Sequence, residues 1–86
     1  MARIKIYSTG HCPICKKTKD LLKKWQIEYE EAFIDQDQAL FQEFMQVTEG
    51  ARMVPQLTLD GKWIGGFSEL TEMHMDGELD VLMNVS

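Results

Sequence analysis

Cys12 and Cys15, in the stretch "STGHCPICKK" (residues 8–17), are the two cysteines of the chain and stand three positions apart. A pair at this spacing can be a disulfide staple, half of a metal site, or a couple that cycles between dithiol and disulfide. As a staple it would close a very small loop, which restricts the unfolded chain little. As a structural zinc site it supplies two of four ligands, and with no second cysteine pair only His11 and His74 could add to them. His11 adjoins Cys12, an awkward geometry for sharing one ion, and His74 reads more simply as a surface or half-buried helical residue. Redox chemistry needs a local means of stabilising a thiolate, and the neighbouring residues supply one.

Pro13 suits the first position of a helix, where its missing N–H costs nothing. Cys12 then falls at the N-cap, its sulfur standing where a Ser or Asp oxygen would accept from the backbone N–H groups of Ile14 and Cys15. Those donors and the positive helix end favour a thiolate over a thiol. Cys15, one turn on, has its Cβ about 5–6 Å from that of Cys12, within a small adjustment of disulfide geometry. Its neighbours Thr18 and Leu22 make it the more buried thiol, and burial disfavours the charged form. A stabilised Cys12 thiolate gains little as an attacking group, but it departs faster when another thiol attacks its mixed disulfide. This arrangement favours turnover through a mixed disulfide.

The elements that must hold this pair follow from hydrophobic spacing. "RIKIYS" alternates Ile4 and Ile6 with Arg3 and Lys5, a strand pattern. From Pro13 the period changes, and Ile14, Thr18, Leu21, Leu22 and Trp25 form one helical face opposite a lysine-rich one. Residues 28–34 return to a strand. Leu40, Phe44 and Val47 then stripe a second helix, flanked by Phe41 and Met45 and stopped at Gly50. "QLTLDGKWIGG" reads as a hairpin about Asp60-Gly61. Ser68 is the expected cap of a last helix with Glu72 in its first turn, interrupted at Asp76-Gly77 before a final turn in "ELDVLM". The order is βαβαββα, an α/β class in which the first strand-helix-strand unit is a parallel crossover and the hairpin is antiparallel.

Eighty-six residues, 44% apolar and 27% charged, suit one globular domain spanning 1–86 and leave no tract compositionally suited to disorder. The net charge of -5 argues against a nucleic-acid partner. The charge is uneven: residues 1–30 carry seven Lys/Arg and three Asp/Glu, residues 31–86 two and eleven. Lys16, Lys17, Lys19, Lys23 and Lys24 therefore make either a solvated helix face or a field that attracts a small anion and favours a thiolate at the cysteine end. No signal-peptide pattern and no stretch able to span a bilayer is found, so the expected location is the cytoplasm, where thiols are kept reduced.

Three segments in register, "CPIC" after the first strand, "ARMVPQ" before the third and "GGFSEL" opening the last long helix, resemble the glutaredoxin family over nearly the whole chain. The resemblance implies a thioredoxin-like fold, a four-stranded mixed sheet flanked by helices, and glutathione-dependent thiol-disulfide exchange. Glutathione would be the electron donor, with no tightly bound cofactor and no metal. Cys12 would be the nucleophile that takes the glutathione mixed disulfide, and Cys15 the thiol that resolves protein disulfides. Val54-Pro55, preceded by Met53, would be the family's cis-proline turn, the Val54 backbone pairing in antiparallel fashion with the cysteinyl part of glutathione. Gly66, Phe67 and Ser68 would receive the γ-glutamyl carboxylate, Arg52 the glycyl carboxylate, and Lys16 would assist. Disulfide-containing proteins, ribonucleotide reductase among them by family analogy, would be the partners of a monomer. Thr9, Ile14 and Met53 depart from the Lys or Arg, Tyr and Thr that many members carry. Two other readings stand beside this one: a redoxin served by thioredoxin reductase, and a dimer holding an iron-sulfur cluster between two Cys12 thiolates and two glutathiones.

Overall fold

The computed structural model describes residues 2–79. Along the chain lie β1 (Ile4–Ser8), α1 (Pro13–Lys24), β2 (Tyr29–Phe33), α2 (Gln38–Val47), β3 (Gln56–Leu59), β4 (Lys62–Gly65) and α3 (Phe67–Met75), the order that the sequence predicts. The four strands form one mixed sheet in the order β2-β1-β3-β4. β1 pairs in parallel with β2, Ile6 opposite Glu31, and antiparallel with β3, Ile6 opposite Leu57. β3 and β4 close the sheet as the expected hairpin. Asp60 and Gly61 both take positive φ, +53° and +84°, which the tight turn demands and a glycine supplies without strain.

β1 is central, so both its faces are covered. Ile4 and Ile6 are fully buried on one face with Leu22 of α1, Leu57 of β3 and Leu70 of α3. Tyr7 points to the other face, where it meets Phe44 of α2 and Ala32 of β2. α1 and α3 thus share one side of the sheet and α2 takes the other. Each fully buried Ile or Leu contributes about 1.5–3 kcal/mol of transfer free energy relative to an exposed one. The α2 side has a polar tie as well. Glu43 Oε2 accepts from the Tyr7 hydroxyl at 2.5 Å and lies 2.6 Å from Lys5 Nζ, joining α2 to β1.

The helix ends show where local chemistry overrides the sequence expectation. Asp37 caps α2 by accepting from Ala39 and Leu40 N–H, and the helix stops at Val47, just before the turn through Gly50 at φ +89°. α3 begins two residues earlier than its expected Ser68 cap. Gly66 is the N-cap, its N–H donating to Glu69 Oε1 at 2.6 Å, so Glu69 rather than Glu72 is the acidic residue of the first turn. The reason is that the Glu69 carboxylate, three residues on, reaches back to the free N–H while Ser68 is already helical. Gly77 at φ +75° ends α3 as expected; Glu78 and Leu79 are helical, and the rest of the predicted final turn lies outside the described residues. Among the described residues, no helix is long and apolar enough to cross a membrane.

Candidate active site

β1 delivers the chain through Thr9–His11 to Cys12 at the start of α1. Cys12 is the N-cap, extended at φ -111°, ψ 105°, with Pro13 in the first turn as the sequence predicts. Its sulfur accepts from Cys15 N–H at 3.1 Å, so of the two predicted donors the one a residue deeper is used. The two thiols differ as expected. Cys12 is half-buried, while Cys15 is 1% exposed. Burial, reinforced by the adjacent Cys12, pushes the Cys15 thiol up to about 12, while the Thr9 backbone and the Lys19 ammonium pull the other way. One sulfur is presented and the other is held protonated behind it.

Facing Cys12 is the loop before β3. The Val54-Pro55 bond is cis, as the sequence motif implies. The Val54 carbonyl oxygen lies 3.8 Å from Cys12 Sγ. From there a groove of about 270 Å³ runs toward the N-terminus of α3, lined by Met53, Val54, Pro55, Gly66, Phe67 and Ser68. Six of the eight predicted ligand-binding residues thus share one surface. Arg52 does not line it. It borders a second, apolar groove of about 300 Å³ with Thr9, Phe41 and Met45, on the opposite side of Val54. Lys16 is exposed on α1 and lines neither groove.

Gly66 makes this geometry possible. A Cβ at that position would lie 2.8 Å from the Pro55 carbonyl oxygen, closer than side chains tolerate. The α3 N-terminus and the Pro55 loop therefore meet backbone to backbone, and the N–H groups of Phe67 and Ser68 begin the helix beside the groove. Ile14 is half exposed and lines the same groove, so it leaves the core stripe to which its spacing assigned it. In the same turn of α1 Cys15 is buried, as are Thr18 and Leu22 further along, while Ile14 turns to the groove. Lys19 likewise leaves the solvated face, its Nζ lying 2.6 Å from Glu31 Oε2. Trp63 packs in the hairpin, donating to Gln56 Oε1 at 2.8 Å. His74 stacks on Trp25 with ring centres 3.9 Å apart, and among the described residues no three His, Cys, Asp or Glu side chains gather as a metal site.

Comparison with known proteins gives these features a setting. The glutaredoxin family model matches residues 4–64. Glutaredoxin 3 of Escherichia coli strain K12 is 34% identical over 83 residues, which is 96% of this chain and 99% of that one. A probable glutaredoxin of Synechocystis is 32% identical over 83 residues, 96% of this chain and 94% of its own. Among solved structures, a buckwheat glutaredoxin-glutathione complex superposes with a TM-score of 0.81 at 29% identity, covering 93% of this chain and 74% of that one. A dithiolic glutaredoxin from Trypanosoma brucei brucei gives a TM-score of 0.81 at 26% identity, covering 96% and 88%. The thioredoxin-like fold, the paired cysteines and similarity along nearly the whole length lead to one assignment: the chain belongs to the glutaredoxin family of thiol-disulfide oxidoreductases.

Proposed function

We propose that the protein is a dithiol glutaredoxin that takes its electrons from glutathione and works as a single domain, 1–86, in monomeric form in the cytoplasm. The observation that carries this reading is the juxtaposition of a half-exposed Cys12 sulfur, capped by a backbone N–H at 3.1 Å, with a groove that starts at Val54 and ends at a helix N-terminus. A tripeptide thiol suits such a groove. Its cysteinyl backbone pairs with Val54, its α-carboxylate meets the N–H groups of Phe67 and Ser68, and its glycyl end passes toward Arg52 on the other side of Val54. Met53, Pro55 and Gly66 shape the walls, and Lys16 adds positive charge from α1. The buckwheat relative solved as a glutathione complex supports the ligand class.

In the chemistry we infer, the Cys12 thiolate attacks the glutathionyl sulfur of a mixed disulfide and the partner leaves as its thiol. A second glutathione then displaces Cys12 and departs as glutathione disulfide. For a protein disulfide, Cys12 forms the mixed disulfide and Cys15 resolves it. Disulfide-cycling proteins, ribonucleotide reductase among them, are the partner class. No resident cofactor enters the scheme.

The test is NADPH consumption with a glutathionylated peptide, comparing glutathione plus glutathione reductase with thioredoxin reductase alone, for the native protein and Cys12→Ser. Turnover with glutathione, lost in Cys12→Ser, is the expected result. Turnover with thioredoxin reductase alone would keep the cysteine roles and overturn the glutathione site.

A further inference from the structure

Beside Cys15 lies a polar cluster to which the scheme above gives no task. Lys19 follows Cys15 by four residues on α1, so the two side chains are neighbours on one face. Lys16, Lys17, Lys23 and Lys24 are exposed, but Lys19 folds inward. Its Nζ lies 2.6 Å from Glu31 Oε2 on β2, with the two side chains 22% and 21% exposed. The same carboxylate oxygen accepts from Ser8 Oγ on β1 at 3.0 Å, and Ser8 is fully buried. The Phe33 ring centre lies 5.7 Å from Nζ. Three elements thus hold one cation next to the buried thiol.

Stability alone is a poor account of this arrangement. A partly buried ion pair loses solvation that offsets part of its own attraction. The thiol beside it, however, has to ionise in order to act. The groups that face Cys15 are the Cys12 sulfur, the Thr9 backbone and Lys19; those that face Lys19 are Glu31, Tyr29 and Cys15 itself. Burial and Cys12 oppose the Cys15 thiolate, while the Thr9 backbone and, less strongly, Lys19 favour it.

We propose that Lys19, fixed by Glu31 and Ser8, is a positioning residue for the resolving half-reaction, its ammonium stabilising the Cys15 thiolate as it attacks the Cys12 mixed disulfide. This rests on the dithiol reading above. In the step, Cys15 releases its thiol proton to solvent base and its sulfur bonds to Cys12 Sγ. The bond from Cys12 Sγ to the substrate sulfur breaks, and the departing thiolate takes a proton from solvent. The two cysteines are oxidised to a disulfide and the substrate sulfur is reduced to a thiol. The arrangement also sets the timing. A Cys12 sulfur tied up in a mixed disulfide carries no charge, so Lys19 then acts on Cys15 without that opposition.

The experiment isolates ring closure. The Cys12 mixed disulfide with glutathione is formed, held at about pH 4 where thiols stay protonated, and jumped to values between about pH 6 and pH 10 while free glutathione is followed. Lys19→Gln is expected to close about tenfold more slowly near pH 7, its pH-rate profile displaced upward by about one unit, the low end of what a close opposite charge does. Glu31→Gln keeps an oxygen for Ser8 and Lys19 but removes a negative charge, so its profile moves the opposite way. Lys19→Arg stays near the native profile. A pair with only a structural role would slow both glutamine variants alike, and that result, or a profile unmoved in Lys19→Gln, overturns the role of Lys19. Cys15→Ser separates the two levels. If it releases no glutathione the dithiol reading holds whatever Lys19 does; if it releases glutathione at the native rate, that reading falls and the proposal with it.

Discussion

Replacing Gly66 with Ala sets two effects against each other at the seam between α3 and the Pro55 loop. Gly66 has φ -105°, so an alanine suffers no backbone strain there, and stiffening the unfolded chain would by itself stabilise the protein by about 0.4–1 kcal/mol. Against this, the new methyl would sit 2.8 Å from the Pro55 carbonyl oxygen, where an ordinary contact needs 3.4 Å or more. That oxygen belongs to backbone, and the next residue, Gln56, is already paired with Tyr7 in the sheet, so it cannot swing aside as a side-chain tip would. Overpacking of this kind costs about 1–3 kcal/mol. The steric effect wins, leaving a net loss of about 1–2 kcal/mol, which in a domain of this size lowers Tm by about 5–15 °C. Urea unfolding is the assay, with the midpoint expected to fall at constant slope. Gly10→Ala is the control: its methyl meets only Asp35 Oδ2 at 3.7 Å and Gln36 Nε2 at 3.8 Å, and its stability should stay within about 0.5 kcal/mol of the native protein. Because Pro55 follows the residue that faces Cys12, mixed-disulfide turnover by Gly66→Ala should fall even at temperatures where it is fully folded. A Gly66→Ala protein as stable as the native one would refute the idea of a tight seam.

Leu22→Ala empties a fully buried core position and is expected to destabilise by about 2–5 kcal/mol in urea. Cys15→Ser should retain reduction of glutathione mixed disulfides and lose most reduction of protein disulfides; equal loss of both would sink the assigned roles. Glu43 should make the fold acid-sensitive. Hydrogen bonds from Lys5 and Tyr7 hold its carboxyl below its ordinary 4.5, so the stability it contributes is present above that pH and is lost as pH falls through the folded value. The stability gap between the native protein and Glu43→Gln should accordingly narrow on acidification from neutral pH, and a gap that does not change with pH would count against the Lys5–Glu43–Tyr7 tie.

The elements were legible because their periods differ: two in "RIKIYS", three and four from Pro13 and from Leu40. The Cys12 cap was legible too, since Pro13 marks the first helical residue. What spacing could not give was covering. Ile14 shares a helical face with Thr18 and Leu22, yet those two are buried and Ile14 lines the groove, half exposed. The α3 cap went astray because serine is the commoner cap, whereas here the Glu69 carboxylate reaches back to the Gly66 N–H and the helix starts before Ser68. Arg52 and Met53 are adjacent in sequence but border different grooves, in a bend before β3 whose side-chain directions carry no periodic pattern. The Lys19–Glu31–Ser8 cluster draws on three elements, and no local pattern marks such a meeting.

Among the described residues, the strand order leaves β2 and β4 with one free rim each, and such rims invite another chain to add itself to the sheet. Here both are guarded. β2 carries exposed Glu30 and is preceded by exposed Glu28, so two copies meeting rim to rim would set glutamates against glutamates. β4 is four residues long, opens with exposed Lys62 and ends at Gly65, too brief and too charged to template a partner. In a crowded solution the folded molecule therefore resists growing into ribbons.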